Sequence, residues 1–201
     1  MLFRSLFGPN KTDNTPHEFV IGGKRVENYF SPSDSTTLHI MQTVQTADKN
    51  LFFALLIITR TDVATEVANR AAAGVFSYGI VNDTSNSFAV QPFQIMQTQM
   101  GNDLRIYPTA LPGILHHKYL LVDVNQPSND PLVLTGSPNW SSNSTSSNDE
   151  NMVIVHDQNI ANQYLQEFVA RFEESGGTIG IAGNDDDVTG YAIYPNPAQS
   201  N

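Results

Sequence analysis

Hydrophobic and polar positions alternate along the chain with two periods, near two and near 3.6, separated by clusters of Pro, Gly, Asn and Ser. Residues 26–30 predict a short strand, ended by Ser31-Pro32-Ser33-Asp34. Ser33 or Asp34 can cap a helix carrying Leu38, Met41, Val44 and Ala47 on one side. Residues 50–59 are apolar almost throughout and of strand length, the pattern of a strand covered on both faces. Thr61-Asp62 opens a helix through Ala73, Gly74 closes it, and residues 75–81 follow as a strand. Strand, helix and strand at that spacing predict a right-handed crossover. Residues 88–100 predict a helix closed by Gly101, and residues 104–107, 118–124, 132–135 and 151–156 predict strands. Asp157 is placed to cap a last helix over residues 158–174, with Ile160, Tyr164, Phe168 and Phe172 along one side. The fold class expected is α/β, a mixed, largely parallel β-sheet with helices on both faces.

The pattern fades at both ends. Residues 1–17 are rich in Asn, Thr, Pro and Gly and are expected to be a linker or the remnant of a preceding region. Residues 18–175 hold the domain, and residues 176–201 return to a linker composition. Net charge is −10, and without Asp185, Asp186 and Asp187 it would still be −7, so the acidity belongs to the domain as well. A protein that tracks a nucleic-acid backbone shows a basic stripe, whereas the 10 Lys and Arg here are scattered. Nucleic acid is therefore the less favoured partner. There is no cysteine, hence no disulfide and no thiolate metal site. No apolar run approaches the roughly 18–20 residues needed to span a bilayer, and the first seven residues do not make a signal peptide.

Candidate chemistry is concentrated in His116-His117-Lys118-Tyr119-Leu120-Leu121-Val122-Asp123 and in Gly136-Ser137-Pro138-Asn139-Trp140. On a strand, His116 and Lys118 share one face while His117 and Tyr119 point the other way. An imidazole beside a fixed positive charge suits attack on a phosphate. Ser137 and Asn139 repeat the i, i+2 spacing with neutral hydrogen-bonding groups, and the two pairs could grip the non-bridging oxygens of a phosphodiester. His117 is expected to pack, Trp140 to line the core or a pocket wall, and His17, His39 and His156 to be surface or loop residues. No metal site and no cofactor are expected.

His116, Lys118 and Asp123 stand as H-x-K-x4-D, Gly136-Ser137-x-Asn139 follows, and Asp149-Glu150-Asn151 leads into an apolar strand. That combination resembles the signature of the phospholipase D superfamily of phosphodiesterases. The twelve residues between Asp123 and Gly136 exceed the family spacing, and the polar, proline-containing residues 125–131 account for it as a longer hairpin loop. The resemblance implies metal-independent phosphodiester exchange through a phosphohistidine, with phospholipid the favoured substrate. One imidazole attacks phosphorus while a second, protonated one supplies the leaving oxygen with its proton. It also implies that Lys118, Ser137, Asn139 and Gly136 hold the phosphate and that Glu150 fixes the imidazole tautomer. Asp123 belongs to the motif, yet on a regular strand it faces away from His116 and is read as a structural acceptor.

One such motif makes half a site. The second half would come from an upstream domain or from a homodimer partner. A nuclease of the same chemistry, or a silent half-domain that packs on a partner, are the alternatives. Residues 191–198 resemble the start of the sorting domain on proteins exported by the type IX system of Bacteroidota, which implies a secreted or cell-surface protein.

Overall fold

The computed structural model describes residues 7–179. The resemblance of residues 191–198 to a sorting domain therefore lies outside the described residues. Eight strands form one sheet in the order β1-β2-β8-β7-β6-β3-β4-β5. They are β1 (Glu18–Ile21), β2 (Lys24–Ser31), β3 (Asn50–Leu55), β4 (Phe76–Val81), β5 (Leu104–Ile106), β6 (Lys118–Val122), β7 (Leu132–Gly136) and β8 (Glu150–Val155). The helices are α1 (Thr36–Gln45), α2 (Thr61–Ala72), α3 (Ser87–Met100), the short α4 (Ser142–Ser146) and α5 (Gln158–Glu174).

The class is mixed α/β, as expected, but the sheet is not largely parallel. Five of the seven strand pairings are antiparallel, and only β3–β4 and β4–β5 run parallel. The crossover β3–α2–β4 is present and β4–α3–β5 repeats it, whereas β6, β7 and β8 are antiparallel neighbours that reverse direction in turn. That reversal positions the site. Leu55 at the end of β3 faces Lys118 at the start of β6, and Gly136 at the end of β7 faces Met152 near the start of β8. One rim of the sheet thus gathers the start of β6, the end of β7 and the start of β8.

β3 is buried over its whole length, and its side chains divide between two cores. Leu51, Phe53 and Leu55 pack with Val44 of α1, Val63 and Val67 of α2 and Met96 of α3. Phe52 and Ala54 pack with Leu165, Phe168 and Phe172 of α5. Helices therefore cover both faces. Asp157 caps α5 by accepting from the Ile160 N–H at 2.9 Å. The buried face of α5 is Ala161, Leu165, Phe168, Val169 and Phe172, while Ile160 stays exposed.

Two local expectations need correction. α1 buries Thr36, Thr37, Ile40, Thr43 and Val44, and Leu38 is left exposed, because the helix starts later and is rotated from the expected stripe. Its first turn has no side-chain cap: the Asp34 carboxylate accepts from the Phe30 N–H instead. The segment before β1 lies against the sheet, where Gly8 is buried and Lys11 donates to the Ser31 carbonyl and pairs with Asp149 at 3.0 Å.

Candidate functional site

β6 begins at Lys118, so His116 and His117 stand just ahead of the sheet. Their backbone is nonetheless tied down. The Leu56 N–H donates to the His117 carbonyl at 2.7 Å, and the Leu115 N–H donates to Asn82 Oδ1 at 2.7 Å. Leu120 and Val122 enter the core under α1–α3, whereas Tyr119 and Leu121 enter the core under α5. This alternation sends His116 and Lys118 to one side and His117 to the other, as the period of two requires.

The ammonium of Lys118 lies 3.4 Å from both ring nitrogens of His116 and donates to the His116 carbonyl at 3.1 Å. His116 is exposed while Lys118 is buried. Burial disfavours the charged ammonium and lowers the Lys118 pKa, with the nearby Glu150 carboxylate opposing that shift. A cation half removed from water, beside an open imidazole, is a ready place for a phosphate oxygen.

The second pair stands at the end of β7. The Ser137 hydroxyl donates to Glu150 Oε2 at 2.5 Å and accepts from the Asn151 N–H at 3.1 Å. The Ser137 N–H in turn donates to the Asn151 carbonyl at 2.9 Å. Gly136 permits this closeness: a Cβ there would lie 2.2 Å from the Asn151 carbonyl oxygen. Asn139 is half-buried, and its Oδ1 has no partner among the described residues. Trp140 is fully buried against Phe53, and its carbonyl accepts from the Thr59 N–H at 2.9 Å, which anchors the turn to the chain leaving β3.

Two expected site residues do other work. Asp123 sits at the far end of β6 from His116, at φ +50°, fully buried. Its Oδ1 accepts from the backbone N–H groups of Lys49 at 2.7 Å and Asn50 at 3.0 Å, and both of its oxygens face that of Asp48. It is a structural acceptor, apart from the cluster of His116, Lys118, Ser137 and Glu150. Glu150 is in the cluster, but its carboxylate accepts from Ser137 and from Asn148 Nδ2 at 3.0 Å, and no hydrogen bond joins it to His116 among the described residues.

The His116 and Lys118 side chains open on a cleft of about 420 Å³ that continues past Gly136 to His117, Tyr164 and Glu167 of the opposite face. Glu167 lines this cleft and the sequence reading missed it; nothing in its spacing on α5 sets it apart. The other histidines are less peripheral than expected. His156 is buried between Glu27 and Asp130, at 2.9 Å from each, and His39 stacks on Tyr29 at 3.6 Å. His17 lies 2.9 Å from Asp13 and 3.9 Å from Asp34, the one trio of metal-ligating types among the described residues whose ligand atoms all lie within 4.8 Å of one another. Both of its ring nitrogens already have partners, the Asn28 carbonyl and Asp13.

A family model described as the PLD-like domain of cardiolipin synthase matches residues 40–172. This chain belongs to the phospholipase D superfamily. A phospholipase D of Rickettsia conorii is 26% identical over 147 residues, covering 73% of this chain and 69% of its own. A mitochondrial cardiolipin hydrolase of Xenopus laevis is 30% identical over 121 residues, 60% of this chain and 48% of its own. Among solved structures, the phospholipase D family member Nuc of Salmonella typhimurium superposes with a TM-score of 0.63 at 20% identity, covering 74% of this chain and 94% of that one. NucT of Helicobacter pylori gives 0.65 at 17% identity, with 77% and 99% covered. These structural likenesses carry the fold. With the superfamily shown, the protein is a phospholipase D-like phosphodiesterase. No helix among the described residues is long and apolar enough to cross a membrane.

Proposed function

We propose that the protein cleaves a phosphodiester, a phospholipid head-group bond in the favoured case, by attack of the His116 imidazole on phosphorus. The observation that carries this reading is the His116–Lys118 pair, with its ammonium 3.4 Å from the ring, lining a cleft that reaches Gly136, the residue before the Ser137 that bonds Glu150. The bond formed is nitrogen to phosphorus, and the bond broken is phosphorus to the leaving ester oxygen. A second imidazole protonates that oxygen, and then, as a base, takes a proton from the water that hydrolyses the phosphohistidine. Lys118, Ser137 and Asn139 meet the charge that builds on the non-bridging oxygens. Glu150 acts here by holding Ser137, which replaces its expected role of fixing the imidazole.

His117 does not supply the second imidazole, since it belongs to the opposite face. A second copy of this chain, or an upstream half with its own motif, completes the site. The domain's net negative charge weighs against a nucleic-acid backbone as the natural diester. Export to the cell surface is part of the same reading and rests on residues 191–198.

The test compares the full-length protein with His116→Asn on phosphatidylcholine, phosphatidylglycerol and single-stranded DNA, each with EDTA present. Cleavage of a lipid that the substitution abolishes, with the thermal transition unchanged, supports the proposal. Cleavage of DNA alone would replace the lipid by a nucleic acid. Activity on none of them, or activity indifferent to His116, would sink it in favour of a silent half-domain.

A further inference from the structure

We infer that Glu167 is a positioning residue, which sets the direction of His116 and Lys118 by gripping the alternate side chains of the same strand from behind. The inference rests on the reading of His116 as the reacting imidazole. Glu167 Oε1 lies 3.0 Å from His117 Nε2, and its Oε2 accepts from the Tyr119 hydroxyl at 2.6 Å. One carboxylate therefore binds the two residues that interleave with His116 and Lys118.

The period of two turns this into a constraint on the other face. If the side chains at 117 and 119 are fixed, the Cα–Cβ directions at 116 and 118 change only with a twist of the intervening backbone, and the side-chain torsions then start from a set base. That backbone has two soft dihedrals per residue, and ahead of the regular strand residues 116 and 117 are held across to β3 through one bond, from the Leu56 N–H to the His117 carbonyl at 2.7 Å. The carboxylate adds a second hold, on the side chains.

Glu167 is itself presented from a fixed base. Its neighbours on α5, Leu165 and Phe168, are buried, and Phe168 meets Phe52 edge-on at 5.3 Å. Arg171, one turn on, brings Nε to 3.3 Å from Glu167 Oε1. The Tyr119 ring is buried, with Tyr164 of the same helix packed edge-on at 5.2 Å. Burial would raise the Glu167 pKa, but the hydrogen bonds from His117 and Tyr119 outweigh it and hold the carboxyl below its usual range. The carboxylate stays ionised and able to accept both bonds.

The experiment uses the full chain, bis-p-nitrophenyl phosphate as a generic diester, and the variants Glu167→Gln, Tyr119→Phe and both together. Positioning predicts that Glu167→Gln lowers kcat about ten- to hundredfold while KM stays within about twofold. It also predicts that Tyr119→Phe adds little in the Glu167→Gln background, since both remove the same grip. Independent additive losses, a change confined to KM, or an unaltered kcat would overturn it. NMR of the His116 ring provides a second readout that needs no turnover. Sharp ring signals in the parent that broaden or shift in Glu167→Gln support the inference, and unchanged signals overturn it. If the parent cleaves no diester, the proposed function fails while the ring signals still decide the role of Glu167.

Discussion

The Lys118 ammonium is equidistant from the two ring nitrogens of His116, at 3.4 Å, and its shorter bond goes to that residue's own carbonyl. Contacts that long are weak as directed hydrogen bonds, so the cation is not committed to the ring. Lys118 also lines the cleft, where an incoming oxygen can meet the ammonium. Because burial lowers its pKa, Lys118 loses its proton at a lower pH than a free lysine, whose value is about 10.4. Activity should fall as pH rises through that lowered value. Lys118→Arg, charged throughout, should move the alkaline limb of the pH–rate profile upward, and Lys118→Met should abolish turnover at every pH. Folding responds with the opposite sign. The unfolded chain holds this proton more tightly, so the contribution of Lys118 to stability rises with pH between the lowered value and about 10.4.

Asp123 belongs to the signature but to a different task. Substituting Asp123→Ala leaves the N–H groups of Asp48, Lys49 and Asn50 without their acceptor, that of Asn50 in a buried place. The expected loss is about 3–5 kcal/mol, read from the urea midpoint. Protein that remains folded at low temperature should keep a kcat close to that of the parent. A stable but inactive Asp123→Ala would return this residue to the chemistry.

Gly136 is held by the closeness of β7 and β8. In Gly136→Ala the new Cβ would meet the Asn151 carbonyl oxygen at 2.2 Å and the Met152 Cα at 2.9 Å, and these are backbone atoms of β8 that cannot swing aside as a side chain would. The strands must part, which carries Ser137 away from Glu150. Loss of both stability and activity is expected, with activity falling further than in Ser137→Ala.

Ser137→Ala isolates the hydroxyl itself. Removing it takes the donor from Glu150 and the acceptor from the Asn151 N–H while leaving the chain path intact. A kcat lowered by about a hundredfold, at little change in the thermal midpoint, is the expected outcome for a group that meets developing charge. An unaltered kcat would confine Ser137 to joining β7 and β8.

The motif strand was legible because its alternation is strict: Lys118, Leu120 and Val122 on one side, Tyr119 and Leu121 on the other. The caps at Asp157 and Gly101 were legible for the same local reason. Strand direction was not. The apolar run of β3 is equally satisfied by a parallel neighbour, β4, and an antiparallel one, β6, since burial on both faces says nothing of polarity. β1 escaped because Glu18, Phe19, Val20 and Ile21 are all exposed, so no buried stripe marks them. Leu38 suggested the wrong face of α1, where small Thr36, Thr37 and Thr43 fill the tight contact instead. At the candidate site, residue types and spacing pointed to His116, Lys118, Ser137 and Asn139. Which acceptor meets which donor depends on three-dimensional neighbours: Glu150 goes to Ser137, and Glu167 arrives from a helix some fifty residues downstream.

The lengthened connection between β6 and β7 leaves Asp123, not Lys118, and so departs from the sheet rim opposite the cleft. Its base is moored where Asp130 meets His156 at 2.9 Å, while Ser128 on its crest is exposed. Such a crest is a handle. A dye or surface tether attached at Ser128 should leave turnover untouched, making it the natural place from which to watch or immobilise a working molecule.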